Sequence, residues 1–138
     1  MQRRKLLEAL ARYGEHYPEE YATVERFTAL LDGHPNCFER DCWAGHITGS
    51  AWLVDPTRSQ LLLTHHRKLN MWLQLGGHSD GETDTVGVAK REALEESGLP
   101  VDVLSDEIFD IDIHKIPPRK DDPAHEHFDI RFVLQAQR

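Results

Sequence analysis

The sequence predicts one α/β domain of the α+β type, in which an N-terminal pair of helices precedes several strands and a further helix. The 138 residues have the length of a single domain. Apolar residues make up 39% of the chain and charged residues 29%, which is the balance of a soluble globular protein. Apolar residues recur with helical periodicity before residue 34, with strand-like periodicity from residue 46, and with helical periodicity again from about residue 84.

The first two predicted elements are helices. Apolar residues form a stripe along residues 2–13, and Tyr13-Gly14 is expected to end this helix because glycine is common just past a helix end. Pro18, followed by two glutamates, begins a second helix, because proline and acidic residues suit a first helical turn. Gly33 and Pro35 are expected to end it.

Three β-rich runs follow. Residues 46–54 end at Asp55-Pro56, and residues 60–65 are expected to pair with them as a hairpin. A third run, residues 71–75, leads into Gly76-Gly77. After the next helix, residues 101–116 predict a long strand or a hairpin arm, and the proline-rich residues 117–123 predict a loop.

The helix after the glycines carries a cluster of acidic residues. Thr83 or Asp84 is expected to cap its start, and Gly98 to follow its end. Glu92, Glu95 and Glu96 fall within an arc of about 100° on one helix face. Like charges at this spacing repel by a few tenths of a kcal/mol per pair. A divalent cation such as Mg²⁺ would reverse that cost, because it prefers carboxylate oxygens; the alternative is a solvated acidic face. The residues expected to pack this helix on the sheet are Val86, Ala89 and Ala93.

The order of residues around this cluster resembles the Nudix box. The segment R-E-A-L-E-E-S-G-L, from Arg91 to Leu99, is similar to the second half of that motif, and Gly77 lies at the family spacing, fourteen residues before Arg91. Two departures are visible. The glutamate that the family has at position 83 is Glu82 in this chain, and Ala93 stands where a bulky aliphatic residue is usual.

The resemblance implies a Nudix-type α/β/α sandwich with a mixed sheet. Residues 1–138 would form a single Nudix domain, with residues 1–34 as an N-terminal helical extension, residues 45–138 as the core and the box at residues 77–99. We expect the extension to be a packing cap or a dimer surface rather than a determinant of substrate specificity. The family has a further helix on the opposite face of the sheet, and no candidate for it follows residue 133. Either the chain is shortened, or the N-terminal helices or a partner subunit cover that face. A homodimer is compatible with this.

The resemblance also implies an enzyme, a pyrophosphohydrolase that acts on acid anhydrides in phosphorus-containing compounds. Its partner would be a small nucleoside diphosphate linked to another moiety, and its cofactor Mg²⁺ or Mn²⁺. By resemblance, the metal ligands are Glu92, Glu95, Glu96 and the backbone of Gly77. Glu92 is the first candidate for the general base, and Arg91 would orient the glutamates. The other candidates for the base are Asp121, Asp122, Glu126 and Asp129.

A second group of polar residues lies near the end of the chain. Between residues 125 and 132, His125, His127, Asp129 and Arg131 would share one face of a strand, and apolar residues the other. This face would bind a transition metal, line the active site or serve the structure, and all three readings stay open. The residues assigned to substrate binding are His78, Glu82, His127 and Asp129.

Composition and charge exclude some classes of function. No apolar run approaches the ~20 residues that span a bilayer, and Glu8 interrupts the only apolar stretch near the N-terminus, so we expect a cytoplasmic protein without a membrane partner. The net charge of −8 makes nucleic acid an unfavourable partner. Cys37 and Cys42 lack a second cysteine pair, so their spacing gives only a weak indication of a zinc site. We expect both thiols to be reduced.

Two further functions stay open beside the hydrolase. The first is a Nudix-fold module that binds its ligand without turnover. The second is a histidine-rich protein that binds a transition metal, since the chain has nine histidines. The intact R-E-x-x-E-E sequence favours the hydrolase, because a module that only binds has no need to keep like charges together.

Overall fold

A computed structural model describes residues 2–66 and 71–137. It confirms the α+β class, with an N-terminal helical pair and a six-stranded mixed sheet on which a further helix packs. Within the described ranges, the helices are too short or too polar to cross a membrane. The helices are α1 (Gln2–His16), α2 (Tyr21–Gly33) and α3 (Thr85–Ser97), with a 3-10 turn at Pro18–Glu20. The strands are β1 (His46–Val54), β2 (Leu61–Leu62), β3 (Thr64–His66), β4 (Met71–Leu73), β5 (Leu75–His78), β6 (Val101–Val103), β7 (Asp110–Ile116) and β8 (His125–Ala136).

Strands β1 and β8 form the centre of the sheet and run parallel to each other. Their register runs from His46 opposite His127 to Val54 opposite Gln135. Strands β5 and β2 pair antiparallel with β1, and β7 and β6 pair antiparallel with β8. Strands β3 and β4 form a separate two-stranded sheet. The long pairing of β1 with β8 therefore joins the start of the sheet to the end of the chain.

The helix boundaries agree with the sequence at most positions. Helix α2 ends at Gly33, and Gly98 follows α3 in the left-handed conformation with φ of 71°, both as predicted. The prediction that Gly14 ends the first helix is wrong, because α1 continues to His16. Gly14 is buried against Val24 of α2, and the amide of Tyr17 donates to the carbonyl of Tyr13 at 2.9 Å. Packing between the two helices thus holds the glycine in helical conformation.

The strand segments differ from the predicted runs in two places. The predicted hairpin is shorter than expected. Only Leu61 and Leu62, next to the turn, pair with β1, and the residues of β3 pair with β4 instead. Strands β6 and β7 do not pair with each other, and each pairs with β8. Gly76 and Gly77 lie inside β5 rather than after a strand. The glycines therefore belong to the backbone of the sheet, next to β1.

All three helices pack on the same face of the sheet. Phe27 of α2 meets Phe128 of β8 edge to face, with ring centroids 5.2 Å apart. Gly49 of β1 lies under α3, since a Cβ there would be 2.8 Å from the carbonyl oxygen of Thr85. Val88, Ala89 and Ala93 of α3 are fully buried, so small side chains let the helix approach the strands. The N-terminal helices thus lie beside α3 and do not cover the opposite face.

The opposite face of the sheet carries polar residues in three rows that run across the strands. The alternation of side chains along each strand and the register of the pairs produce these rows. The first row is His114, His127 and His46. The second is Asp112, Asp129, Thr48 and His78. The third is Asp110, Arg131, Ser50 and Gly76.

Candidate functional site

Helix α3 brings two of its three clustered glutamates onto the glycines of β5. The backbone N–H of Gly76 donates a hydrogen bond of 2.9 Å to Oε1 of Glu96. A Cβ at Gly77 would lie 2.5 Å from Oε1 of Glu92, so only glycine leaves room for that carboxylate. The glycine pair and the glutamates of the predicted box therefore meet in space, although β5 and α3 are separate elements.

The electrostatics of this cluster show carboxylates close to one another. The pKa of Glu96 is raised, first by the loss of solvent around its carboxylate and further by the charges of Glu92 and Glu95. The N–H of Gly76 acts in the opposite direction. Glu95 and Glu96 are exposed residues and Glu92 is partly buried, so the loss of solvent at Glu96 is only partial. We call Glu92, Glu95, Glu96 and the two glycines the acidic site.

Arg91 connects the acidic site to β5. Its guanidinium donates a hydrogen bond of 3.0 Å to the backbone carbonyl of His78, and it lies 3.5 Å from Oε1 of Glu92. Among the clustered glutamates, Arg91 pairs with its neighbour in the chain, Glu92. Arg91 thus holds the position of Glu92 relative to the strand, in keeping with an organising role.

Glu82 has a different place from the clustered glutamates. Its Oε1 accepts a hydrogen bond of 2.8 Å from the backbone N–H of Asp84, the residue that precedes α3. Asp84 itself makes no side-chain cap hydrogen bond. The displaced glutamate of the box therefore satisfies an amide at the start of the helix.

Asp129 lies in a buried network on the polar face of the sheet. It is 4% exposed, and its carboxylate accepts hydrogen bonds from Thr48 (2.8 Å), Ser50 (2.6 Å) and Arg131 (3.1 Å). Arg131 also donates to Asp110 at 2.9 Å, and the surrounding carboxylates raise its pKa although burial alone would lower it. The partners of Asp129 thus belong to the protein itself, which indicates a structural role. Another candidate base, Glu126, is 2.7 Å from Arg26.

A cluster of histidines lies beyond this network on the same face. Each of His46, His125 and His127 offers a ring nitrogen, and these nitrogens lie within 4.8 Å of one another. The ring centroid of His46 lies 4.5 Å from that of His125 and 5.5 Å from that of His127. The rings of His78 and His114 approach His127, with centroids at 5.0 Å and 5.5 Å. We call His46, His125 and His127 the histidine triad.

The two inner rings of the triad, those of His46 and His127, carry buried nitrogen atoms that make no hydrogen bond within the described part of the chain. His46 is 3% exposed, and within the described part of the chain neither of its ring nitrogens, nor Nε2 of His127, has a hydrogen-bond partner. Burial, followed by the neighbouring histidines, lowers the pKa of His46 to about 4 and that of His127 to about 3. The backbone of Arg40 acts to raise the pKa of His46, although it forms no hydrogen bond with the ring. Both rings are therefore neutral at neutral pH.

We expect metal-free protein to lose stability as the pH falls from about 6.5 towards about 4. Unfolded histidine has a pKa near 6.5. In this range His46 and His127 therefore take up protons in the unfolded chain but stay neutral in the folded protein. The groups that face them are His78, His114, His125 and Arg40. The free energy of unfolding from urea titrations should fall by about 1–3 kcal/mol more in the wild type than in His46→Gln. His16→Gln, which alters an exposed ring, should match the wild type; equal slopes in all three proteins would contradict the prediction.

Two residues at this place were not predicted from the sequence. His46 begins β1. Its alternation with Thr48 and Ser50 is a strand pattern that the sequence shows, but the sequence does not show which strand pairs in parallel with β1. Arg40 has no motif around it; its guanidinium pairs with Asp80 at 2.7 Å and 3.2 Å. It also interacts with the charge of Glu92, and after burial its charge is the next cause that lowers the pKa of His78. Arg40 therefore lies between the acidic site and the histidines.

A cavity of about 410 Å³ lies elsewhere, between α1 and the start of α3. Thr85, one of its lining residues, precedes Glu92 by seven residues, or roughly 10 Å of helix. The cavity contacts neither the clustered glutamates nor the histidine triad, so its volume does not identify the site of chemistry. Its lining includes Lys5, Leu6, Ala9, Arg12, Thr85 and Phe132.

The acidic site and the histidine triad are thus two polar centres on a shared sheet, joined through the backbone of Gly77 and His78. Comparison with known proteins does not choose between them. No model of a known protein family matches this chain, and no curated protein matches it either.

Proposed function

We propose that this protein is a divalent-metal-dependent hydrolase of the Nudix type, which cleaves the pyrophosphate of a nucleoside diphosphate linked to another moiety. The observation that carries the proposal is the meeting of Glu92 and Glu96 with the glycine pair of β5. The motif spacing alone would permit this meeting but does not require it. The proposal includes the Nudix-type sandwich, with residues 45–138 as its core.

The residues of the acidic site fit Mg²⁺ or Mn²⁺. Their donors are carboxylate oxygens, which hard cations prefer, and the missing side chain at Gly77 leaves a cradle that a Cβ would fill. The pKa of Glu96 is raised first by burial and then by the charges of Glu92 and Glu95, and a cation would relieve that repulsion between the carboxylates. Glu92, Glu95 and Glu96, with the backbone of Gly77, would hold the cation. When bound, it would neutralise phosphate oxygens and lower the pKa of the attacking water.

The side chains around the site have separate roles in this proposal. Glu92 is placed to accept the proton of the attacking water, and Arg91 holds its carboxylate in position from 3.5 Å. Glu96 is held by the N–H of Gly76, so its carboxylate faces the glycine backbone. Arg40, which already binds a carboxylate through two nitrogens, offers a cation of the kind that binds phosphate.

The substrate we propose is a small molecule in the cytoplasm. The net charge of −8 disfavours nucleic acid, whereas a diphosphate needs positive charge only at the acidic site. The polar face of the sheet lies away from all three helices. In a Nudix-type sandwich this face would be covered by a third layer, which a second copy of the chain would provide in a homodimer.

The test is release of phosphate or nucleoside monophosphate from a panel of diphosphates, each with Mg²⁺, Mn²⁺ or a chelator. The panel includes ADP-ribose, NADH, sugar nucleotides, dinucleoside polyphosphates and nucleoside triphosphates. We expect turnover that requires the metal and falls by about tenfold or more in Glu96→Gln. The glutamine amide oxygen would still accept the hydrogen bond from Gly76, so this variant should keep the fold. Glu25→Gln, which removes an exposed charge from α2, should retain full activity.

The opposite result favours a second function. If folded protein binds a member of the panel but releases no product with either metal, the chain is a ligand-binding module and the hydrolase proposal fails. Turnover that is equal in Glu96→Gln and wild type would place the chemistry outside the acidic site.

A further inference from the structure

The histidine triad lies apart from the acidic site and is not used by the proposed hydrolysis. We propose that His46, His125 and His127 bind one divalent transition-metal ion of the zinc class, in a site that differs in ligands and in metal preference from the acidic site. The inference stands on the geometry of the triad, on the hydrogen bond of His125 and on the unused nitrogens of the buried rings.

The fold makes the three rings converge. His46 is the first residue of β1, and parallel pairing puts it opposite His127 of β8. His125 lies two residues before His127, so both point to the same face of the strand. Three imidazoles from two neighbouring strands thus meet at one end of the sheet, with ring nitrogens within 4.8 Å of one another.

The hydrogen bond of His125 prepares its ring for a metal. Its Nδ1 lies 2.9 Å from the backbone carbonyl oxygen of Pro123. A carbonyl only accepts, so Nδ1 carries the proton and Nε2 of the neutral ring keeps its lone pair. Histidines that bind metals commonly donate their second nitrogen to a carbonyl in this way. The loop before β8 therefore sets the tautomer that a metal requires.

The unused nitrogens of the inner rings favour a ligand. His46 is 3% exposed and has no hydrogen-bond partner on either ring nitrogen among the described residues. A polar atom left without a partner at such a depth destabilises the fold. A coordinate bond to a metal uses a lone pair and removes this cost at one nitrogen of each ring.

The type of metal follows from the donors. Imidazole nitrogen suits Zn²⁺, Cu²⁺, Ni²⁺ and Co²⁺, whereas Mg²⁺ prefers oxygen. With metal–nitrogen bonds of about 2.0–2.1 Å, tetrahedral ligands are about 3.3 Å apart, so small ring rotations would contract the triad around an ion. Three protein ligands leave a fourth position for water or another small ligand, as in zinc sites that act on substrates.

The position of the triad separates it from the acidic site. The acidic site lies on the helix-covered face of the sheet at Gly77, and the triad lies on the other face next to the ring of His78. No carboxylate belongs to the triad, and no histidine ring belongs to the acidic site. Excess Mg²⁺ should therefore occupy the carboxylates and leave the histidines to the transition metal.

The experiment titrates Zn²⁺ and Co²⁺ into chelator-treated protein without an affinity tag, in excess Mg²⁺. Competition with a chromophoric chelator measures Zn²⁺ affinity, and the visible spectrum of bound Co²⁺ reports its coordination. We expect one equivalent of Zn²⁺ to bind and a strong Co²⁺ spectrum of the four-coordinate type. His125→Ala should weaken Zn²⁺ binding by at least about a hundredfold, since even loss of a supporting residue costs 10–100-fold. His46→Gln should also weaken it.

The controls separate this site from the proposed hydrolase. His16→Ala removes an exposed histidine, and Glu96→Gln alters the acidic site; both should bind Zn²⁺ like the wild type. Binding that survives His125→Ala, or that disappears in Glu96→Gln, would overturn the proposal. Circular dichroism checks that each variant is folded. If a histidine variant is unfolded, the wild-type Co²⁺ spectrum decides, because a weak six-coordinate spectrum would contradict the four-coordinate site of the zinc class that we propose.

Discussion

Replacing Arg131 with leucine is expected to lower the free energy of unfolding by about 3–5 kcal/mol, as for other buried ion pairs that lose one partner. The Arg131 side chain is 15% exposed and contacts Asp129, Asp110 and Asp112 at 2.9–3.4 Å. Without the guanidinium, the buried charge of Asp129 would keep only the hydroxyl groups of Thr48 and Ser50. Urea unfolding followed by circular dichroism measures the change. The loss would be a large part of the 5–15 kcal/mol that stabilises an ordinary domain.

The matched control removes an arginine from an exposed ion pair. Arg12 lies 3.0 Å from Glu107, and both side chains are about half exposed. Such exposed pairs contribute little to stability, so Arg12→Leu should leave the free energy of unfolding close to that of the wild type. If Arg131→Leu costs as little as Arg12→Leu, the network on the polar face does not stabilise the sheet. Replacing Asp129 by leucine together with Arg131 should recover part of the loss, because no unpaired charge would remain buried.

Gly77→Ala is expected to lower metal-dependent turnover by about a hundredfold with little change in stability. The new Cβ would lie 2.5 Å from Oε1 and 2.7 Å from Cδ of Glu92, so the carboxylate must move. A displacement of about 1 Å at a catalytic group can cost about 10²-fold in rate. The displaced atoms are the end of a flexible side chain, so the strand itself should tolerate the methyl group. Steady-state kinetics on the best substrate of the panel, beside thermal unfolding, measures both effects.

Gly33→Ala is the control for this prediction. It adds the same methyl group at the end of α2, where no atom lies within 4 Å of the new Cβ. Its turnover should equal that of the wild type. Full activity in Gly77→Ala would show that the contact between Gly77 and Glu92 has no part in catalysis, and it would weaken the proposed hydrolase mechanism at its main observation.

The sequence by itself predicted the elements that depend on local periodicity and end signals. The helical pair, the bounds of β1, the end of α3 at Gly98 and the shared face of Glu92, Glu95 and Glu96 follow from neighbours a few residues apart. Gly14 shows the limit of such signals, since the contact with α2 keeps it helical. The resemblance to the Nudix box and the hydrolase function remain predictions, for which the position of Glu92 and Glu96 gives support.

The tertiary structure alone decided which distant residues meet. The parallel register of β1 with β8 joins residues about eighty positions apart, and it brings His46 to His127 and Thr48 to Asp129. Strand pairing uses backbone groups that every residue carries. The side-chain pattern of a strand fixes which residues face the core, but it does not name the distant strand that becomes the partner. Asp129, which the sequence analysis assigned to substrate binding, lies in a buried network for this reason. The histidine triad arises in the same way, because its third ring comes from a strand that carries no metal-binding motif.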